Sequence, residues 1–266
     1  MLNRILTFVL IGIFVNVTVQ GQLVEEFNPP QANSCLALTA QSLADQLLDW
    51  NQLGRYYAEN QKLKSLPPEP NRVVFMGDSI TDFWNLSKYF PDKPYVNRGI
   101  SGQTTPQMLV RLFSDVIELK PVVMVLLAGI NDIAQNTGPQ TAEMVENNIR
   151  AMAELAQHHG IKVVLCSIMP VSDYPYLKQQ KGLIDSKIKT VKWTDSHPAD
   201  DIIKLNVWLK DYAEKVNAIY VNYFDAFVDE KGLLKESYSD DGLHPNNEGY
   251  KVMSQIVDAA IQKALK

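Results

Sequence analysis

Residues 72–82 read Arg-Val-Val-Phe-Met-Gly-Asp-Ser-Ile-Thr-Asp. An apolar run ends at Gly77, and a hydroxyl residue, Ser79, follows two positions later. Gly, Asp and Ser are common turn and cap residues, so one reading is a strand that turns into a helix capped by Asp78 or Ser79. The other is a strand that ends in order to present a nucleophile. The rest of the chain decides between them.

Outward from that stretch, further apolar runs recur at Pro94–Val96, Val122–Ala128, Lys162–Ile168 and Ala218–Tyr223. Between them lie helical patterns at about Pro106–Leu119, Thr141–His158, Ile203–Val216 and Asn247–Leu265. The runs are almost purely apolar, as in strands covered on both faces. Strand–helix alternation of this kind predicts an α/β fold with a five-stranded parallel sheet between helical layers. Upstream, apolar residues from Leu43 to Tyr57 recur at helical spacing, and Pro67-Pro68-Glu69-Pro70 breaks the chain after them. Residues 38–70 are therefore expected to be a leading helix and linker. Residues 172–201 show no clear period and are expected to form a loop or inserted lobe over one end of the sheet.

The N-terminus reads as a removable leader. Arg4 precedes an apolar stretch from Ile5 to Val15, and Val19-Gln20-Gly21 supplies a cleavage-type site. The stretch is short for a membrane span, although an uncleaved anchor is the alternative. Cleavage after Gly21 leaves residues 22–266 as a single domain, with 22–37 a polar tail. The expected location is exported, periplasmic or secreted, with no stable membrane insertion once the leader is gone. The formal net charge is −5 with no basic block, which argues against nucleic acid as a partner. There are two cysteines, Cys35 and Cys166. Cys166 reads as a buried thiol in a core strand, and an exported protein permits pairing with Cys35 without requiring it. No spacing resembles a zinc site.

In open parallel sheets, ligand sites lie beyond the carboxyl ends of the strands. Four polar clusters fall there: Gly77-Asp78-Ser79-Ile80-Thr81, Gly99-Ile100-Ser101-Gly102-Gln103-Thr104, Gly129-Ile130-Asn131-Asp132 and Asp241-Gly242-Leu243-His244-Pro245. A serine hydroxyl needs a neutral imidazole to take its proton, and that imidazole needs an acceptor on its other nitrogen. Of the four histidines, His158 and His159 end a helical pattern and read as structural. His197, between Ser196 and Pro198, reads as a surface residue rather than a pocket lining. His244 follows Asp241 by three residues, a turn that can set a carboxylate against one ring nitrogen and leave the other free. A turn capping the last helix is an equal reading of that segment alone. The N–H groups of Ser79 and Gly102 and the side-chain amide of Asn131 are candidate donors to a developing oxyanion.

Taken together and in this order, the four clusters resemble the blocks of the SGNH hydrolases, the GDSL esterase/lipase family, over most of the chain. Their wording is similar to that of the subgroup related to platelet-activating-factor acetylhydrolases. The resemblance implies a flavodoxin-like three-layer α/β/α sandwich. It implies Ser79 as nucleophile, His244 as general base and acid, and Asp241 as its orienting acid. Ser79, Gly102 and Asn131 would form the oxyanion hole, with no metal or organic cofactor. Asp240 leaves an ambiguity over the acid that the spacing to His244 resolves towards Asp241. The expected activity is that of a serine esterase working through an acyl-serine. A short-chain O-acetylesterase on acetylated carbohydrate or small esters is preferred, and the aromatics Tyr174, Tyr176 and Trp193 could stack on sugar. A lysophospholipase/thioesterase-type lipid acyl hydrolase and an inactive binding module are the alternatives. Asn85-Leu86-Ser87 is a glycosylation acceptor if the source is eukaryotic.

Overall fold

The computed structural model describes residues 49–67 and 69–266. The leader, the tail, Cys35 and the first part of the expected leading helix lie outside the described residues. Five parallel strands form the sheet: β1 (Val73–Gly77), β2 (Tyr95–Gly99), β3 (Val123–Leu127), β4 (Lys162–Cys166) and β5 (Ile219–Val221), in the order β2-β1-β3-β4-β5. This is the flavodoxin-like order, whose direction switches between β1 and β3. In register, Gly77 lies beside Gly99 on one side and Leu127 on the other, so these three strands end level with one another.

The strand side chains alternate between two cores, the reason the runs carry almost no polar residue. Val74, Met76, Met124, Leu126, Val163 and Leu165 face one core. Helices α4 (Thr105–Asp115), α6 (Ala142–His158) and α8 (Ala199–Lys215) cover it, through residues such as Leu112, Ile149 and Leu205. Phe75, Val125, Leu127, Val164 and Cys166 face the other. The short helices α2 (Ser79–Asp82), α3 (Leu86–Tyr89) and α9 (Phe224–Phe227) cover that face with the long α10 (Asn247–Leu265). Cys166 is buried there as expected, and burial pushes its thiol up to about 12.

Two expectations require correction. The leading helix does not run through residues 49–56, which are turns; helix α1 spans only Tyr57–Ser65. The Asp49 carboxylate accepts the N–H groups of Leu53 (2.8 Å) and Gly54 (2.9 Å), and Gln52 adopts φ +57°, so the backbone turns instead of coiling. Trp50 and Leu53, whose spacing mimics a helix face, are exposed, as is Tyr57 at the start of α1. His197 is not on the surface: it is buried within the 172–198 segment, which folds as a lobe containing helix α7 (Tyr174–Gln180). The remaining short helix, α5 (Ile130–Ile133), follows β3 directly.

Candidate active site

The switch point between β1 and β3 is where the sequence clusters meet. Asp78 ends β1 by capping α2, its Oδ1 accepting the N–H of Ile80 at 3.0 Å. Ser79 is thereby the first residue of α2, where an α-helix leaves N–H groups without an intrahelical acceptor. The turn thus has both roles at once: a cap by Asp78, and a serine held at the carboxyl edge of the sheet. Helix α10 braces it from behind, Tyr250 Oη donating to Ile80 O at 2.8 Å and Trp84 Nε1 to Ser254 Oγ at 3.2 Å.

His244 arrives from the loop that enters α10, which Asn246 starts by accepting the N–H groups of Glu248 and Gly249. Its Nε2 lies 2.9 Å from Ser79 Oγ, and its Nδ1 lies 2.6 Å from Asp241 Oδ2. A carboxylate can only accept, so Nδ1 carries the proton and Nε2 is left to accept the serine hydroxyl. Asp241 Oδ1 accepts the N–H groups of Leu243 (2.9 Å) and His244 (2.8 Å), so one oxygen shapes the turn while the other orients the ring. Partial burial raises the Asp241 pKa, but hydrogen bonds from the His244 ring and these two amides outweigh it and hold the carboxyl down at about 2. Asp240 instead accepts from Asn246 Nδ2 at 3.1 Å, so Asp241 is the carboxylate of the two that contacts the His244 ring.

The loops carrying Gly102, after β2, and Asn131, after β3, are tied together by hydrogen bonds. Asn131 Nδ2 donates to Gln103 O at 3.0 Å, and its Oδ1 accepts from Asn136 Nδ2 at 2.9 Å. The same Asn136 amide donates to Gly102 O at 3.1 Å. These bonds fix which way the Asn131 amide points and leave one of its two N–H donors for a ligand. Gly102 adopts φ +79°, in the region that favours glycine, and an added Cβ would meet almost nothing. Conformation, not crowding, therefore demands glycine there.

Asp132 does not join this cluster. It is fully buried and accepts from Thr105 N (3.0 Å), Thr105 Oγ1 (2.6 Å) and Gln140 Nε2 (3.0 Å), tying the third block to the start of α4. Burial pushes its carboxyl up to about 6 against those donors.

Several supporting residues escaped the reading of the sequence. Arg111, with no exposed surface, donates to Gly77 O (3.1 Å), Gln103 Oε1 (2.6 Å) and Asp115 Oδ2 (2.9 Å). It thus links the end of β1 to the loop carrying Gly102. Gln103 passes the link on, its Nε2 donating to Asn51 O at 3.0 Å. A charged residue on an amphipathic helix gives no sequence signal of such a role. The 172–198 lobe clasps the other side. Trp193 Nε1 donates to Asp241 O at 2.8 Å, and Ser172 N donates to Gly242 O at 2.8 Å. Gly242 has φ +90°, and a Cβ there would lie 2.2 Å from Ser172 O. Asp173 anchors this lobe by accepting Thr194 N at 3.0 Å, and Trp193 O accepts the N–H of the buried His197 at 2.9 Å. Burial lowers the His197 pKa, and the nearby His244 pushes in the same direction. The His244 ring sits between Trp193 (centroids 6.4 Å apart) and Phe83 (5.3 Å). Phe83 lies one turn beyond Ser79, a position its i+4 spacing could have flagged. Among the described residues, no group of three or more His, Cys, Asp or Glu is placed to hold a metal ion.

Comparison with known proteins shows the family. The model of the GDSL-like lipase/acylhydrolase family matches residues 75–252. A GDSL-like lipase of Bacteroides thetaiotaomicron is 36% identical, with a TM-score of 0.69 over 81% of this chain and 99% of that one. A Bacteroides fragilis protein assigned as an acylhydrolase is also 36% identical, with a TM-score of 0.71 over 82% and 99%. An acetylxylan esterase of Xylanibacter ruminicola is 27% identical over 75% of this chain, which spans 45% of that protein's length. The chain belongs to the GDSL-like lipase/acylhydrolase family, and it is a carboxylic ester hydrolase.

Proposed function

We propose that the chain is a serine esterase that removes short acyl groups, with O-acetyl esters of carbohydrate as its preferred substrates. The observation that carries the mechanism is the hydrogen-bonded row Ser79 Oγ–His244–Asp241 at the sheet switch point. Ser79 Oγ attacks the ester carbonyl as its proton passes to His244 Nε2. The oxygen that gains charge is received by the N–H groups of Ser79 and Gly102 and the free amide N–H of Asn131. His244 then hands the proton to the departing alcohol, leaving an acyl-serine. A water, deprotonated by the same nitrogen, releases the acid and restores Ser79. Throughout, Asp241 stays a carboxylate and stabilises the imidazolium without taking its proton.

The acetylxylan esterase relative and the polar, aromatic rim around His244 support carbohydrate over lipid as the carrier of the acyl group. Export follows from the leader read at residues 1–21. A relative in Bacillus subtilis, 25% identical over 60% of this chain, is a lipoprotein. Among the described residues no helix is long and apolar enough to cross a membrane.

The test is kcat/KM on p-nitrophenyl esters from acetate to palmitate, with Ser79→Ala as the blank. A maximum at acetate that vanishes in the blank is expected. A maximum at long chains would move the reading to a lipid acyl hydrolase, and no Ser79-dependent rate would leave a binding module.

A further inference from the structure

We propose that the cavity between α3 and the entry to α10 is a glycosyl subsite. It would hold a neighbouring sugar of an acetylated oligosaccharide while the ester lies at Ser79. The inference rests on the carbohydrate-esterase reading and adds to it where, and by which residues, the chain beyond the acetylated unit is gripped.

The cavity measures about 520 Å³, within the range of small-molecule sites. It adjoins the candidate site through Phe83. That ring packs 5.3 Å from the His244 ring on one side and lines the cavity on the other. Phe83 is 57% exposed although its neighbours Ile80, Thr81 and Trp84 are buried. It sits on the serine's own helix, its N–H donating to Ser79 O at 3.0 Å. Phe83 thus offers an apolar ring face to a ligand in the cavity.

Apart from Pro245 and two tyrosines, the remaining lining is polar and carries both signs of charge, with Lys88 against Asp240 and Glu248. A site for an anionic headgroup would be one-signed, and a site for an acyl tail would be apolar. The arrangement suits a neutral ring with an apolar face and a hydroxyl rim. Hydroxyls both donate and accept, and both kinds of partner are present. Asn85 Oδ1 accepts Lys88 N (3.1 Å) and Ser87 Oγ (2.8 Å), which orients its amide and leaves the NH₂ for a ligand. Lys88 Nζ donates to Asn247 Oδ1 at 2.7 Å, which fixes the Asn247 amide in the same way. Tyr89 closes the cavity, its Oη donating to Asn247 O at 3.1 Å. These residues are set before any ligand arrives, so little order has to be imposed on binding.

The test compares kcat/KM on mono-acetylated xylotetraose with that on mono-acetylated methyl xyloside, for the full protein and for Phe83→Ala and Asn247→Ala. Both residues are exposed, so the fold should survive. The oligosaccharide should be preferred about tenfold, equivalent to about 1.4 kcal/mol. Phe83→Ala should remove most of that preference and Asn247→Ala part of it. Ser79-dependent hydrolysis of both sugars with a ratio that neither variant moves would overturn the subsite and leave the esterase reading intact. Turnover of p-nitrophenyl acetate with neither sugar hydrolysed would overturn the carbohydrate reading, and the subsite with it.

Discussion

Arg111→Met removes the guanidinium that joins two of the site's loops while keeping most of the stem that fills its place in the core. Three hydrogen bonds are lost, to Gly77 O, Gln103 Oε1 and Asp115 Oδ2. Asp115, 1% exposed, then keeps the Asn60 amide at 2.6 Å and Ser114 Oγ at 3.4 Å as its side-chain hydrogen-bond partners among the described residues. Breaking a buried ion pair by deleting one partner costs about 3–5 kcal/mol, since the other charge stays buried. For a domain of this size that corresponds to a fall in Tm of roughly 10 °C. Urea unfolding at neutral pH measures the loss directly. The double variant Arg111→Met/Asp115→Leu separates the charge from the packing, because it also removes the carboxylate that the single variant leaves unpaired. It should recover at least half of the loss. A single variant within about 1 kcal/mol of the parent, or a double variant less stable than the single, would refute the view that a buried charge pair braces these loops.

Three other outcomes are expected. Asn131→Ala should lower kcat by about 10²–10³ with the fold intact, as for loss of one oxyanion donor; steady-state kinetics showing a drop under about threefold would remove Asn131 from that role. Trp193→Phe keeps the ring but loses the N–H that holds Asp241 O, so kcat should fall about threefold to tenfold at nearly constant KM; a loss confined to stability would show the lobe to be packing only. Asp78 is fully buried, its Oδ2 has no hydrogen-bond partner among the described residues, and burial pushes its carboxyl up from 3.8 to about 7. The folded state therefore holds a proton that the unfolded state releases, so stability is full below about pH 4 and declines as pH rises towards 7. The difference is at most about 4 kcal/mol. Asp78→Asn should flatten the slope measured by urea unfolding at pH 4 to 7, and an unchanged slope would place the proton elsewhere.

The sheet was legible because its strands are buried on both faces, so each appeared as an apolar run bounded by turn residues. The four polar clusters stood at the ends of those runs, and the topological rule for parallel sheets then placed them together. The N-terminal turns were misread because Trp50 and Leu53 have helical spacing without a face to pack against. Periodicity records spacing, whereas Asp49 and Gln52 set the backbone. His197 was misjudged for a related reason: burial depends on a lobe whose own sequence has no period. Arg111 and Phe83 mark opposite limits. A buried arginine and an exposed phenylalanine both invert the usual hydropathy pattern, and only the structure shows what each faces.

The most direct test of Ser79 as the nucleophile is mass spectrometry of the protein rapidly quenched during turnover of p-nitrophenyl acetate. One acetyl group should be carried on the peptide containing Ser79, absent in Ser79→Ala and discharged when turnover is allowed to finish. Turnover with no covalent acetyl, or with the acetyl on another residue, would contradict the acyl-serine mechanism.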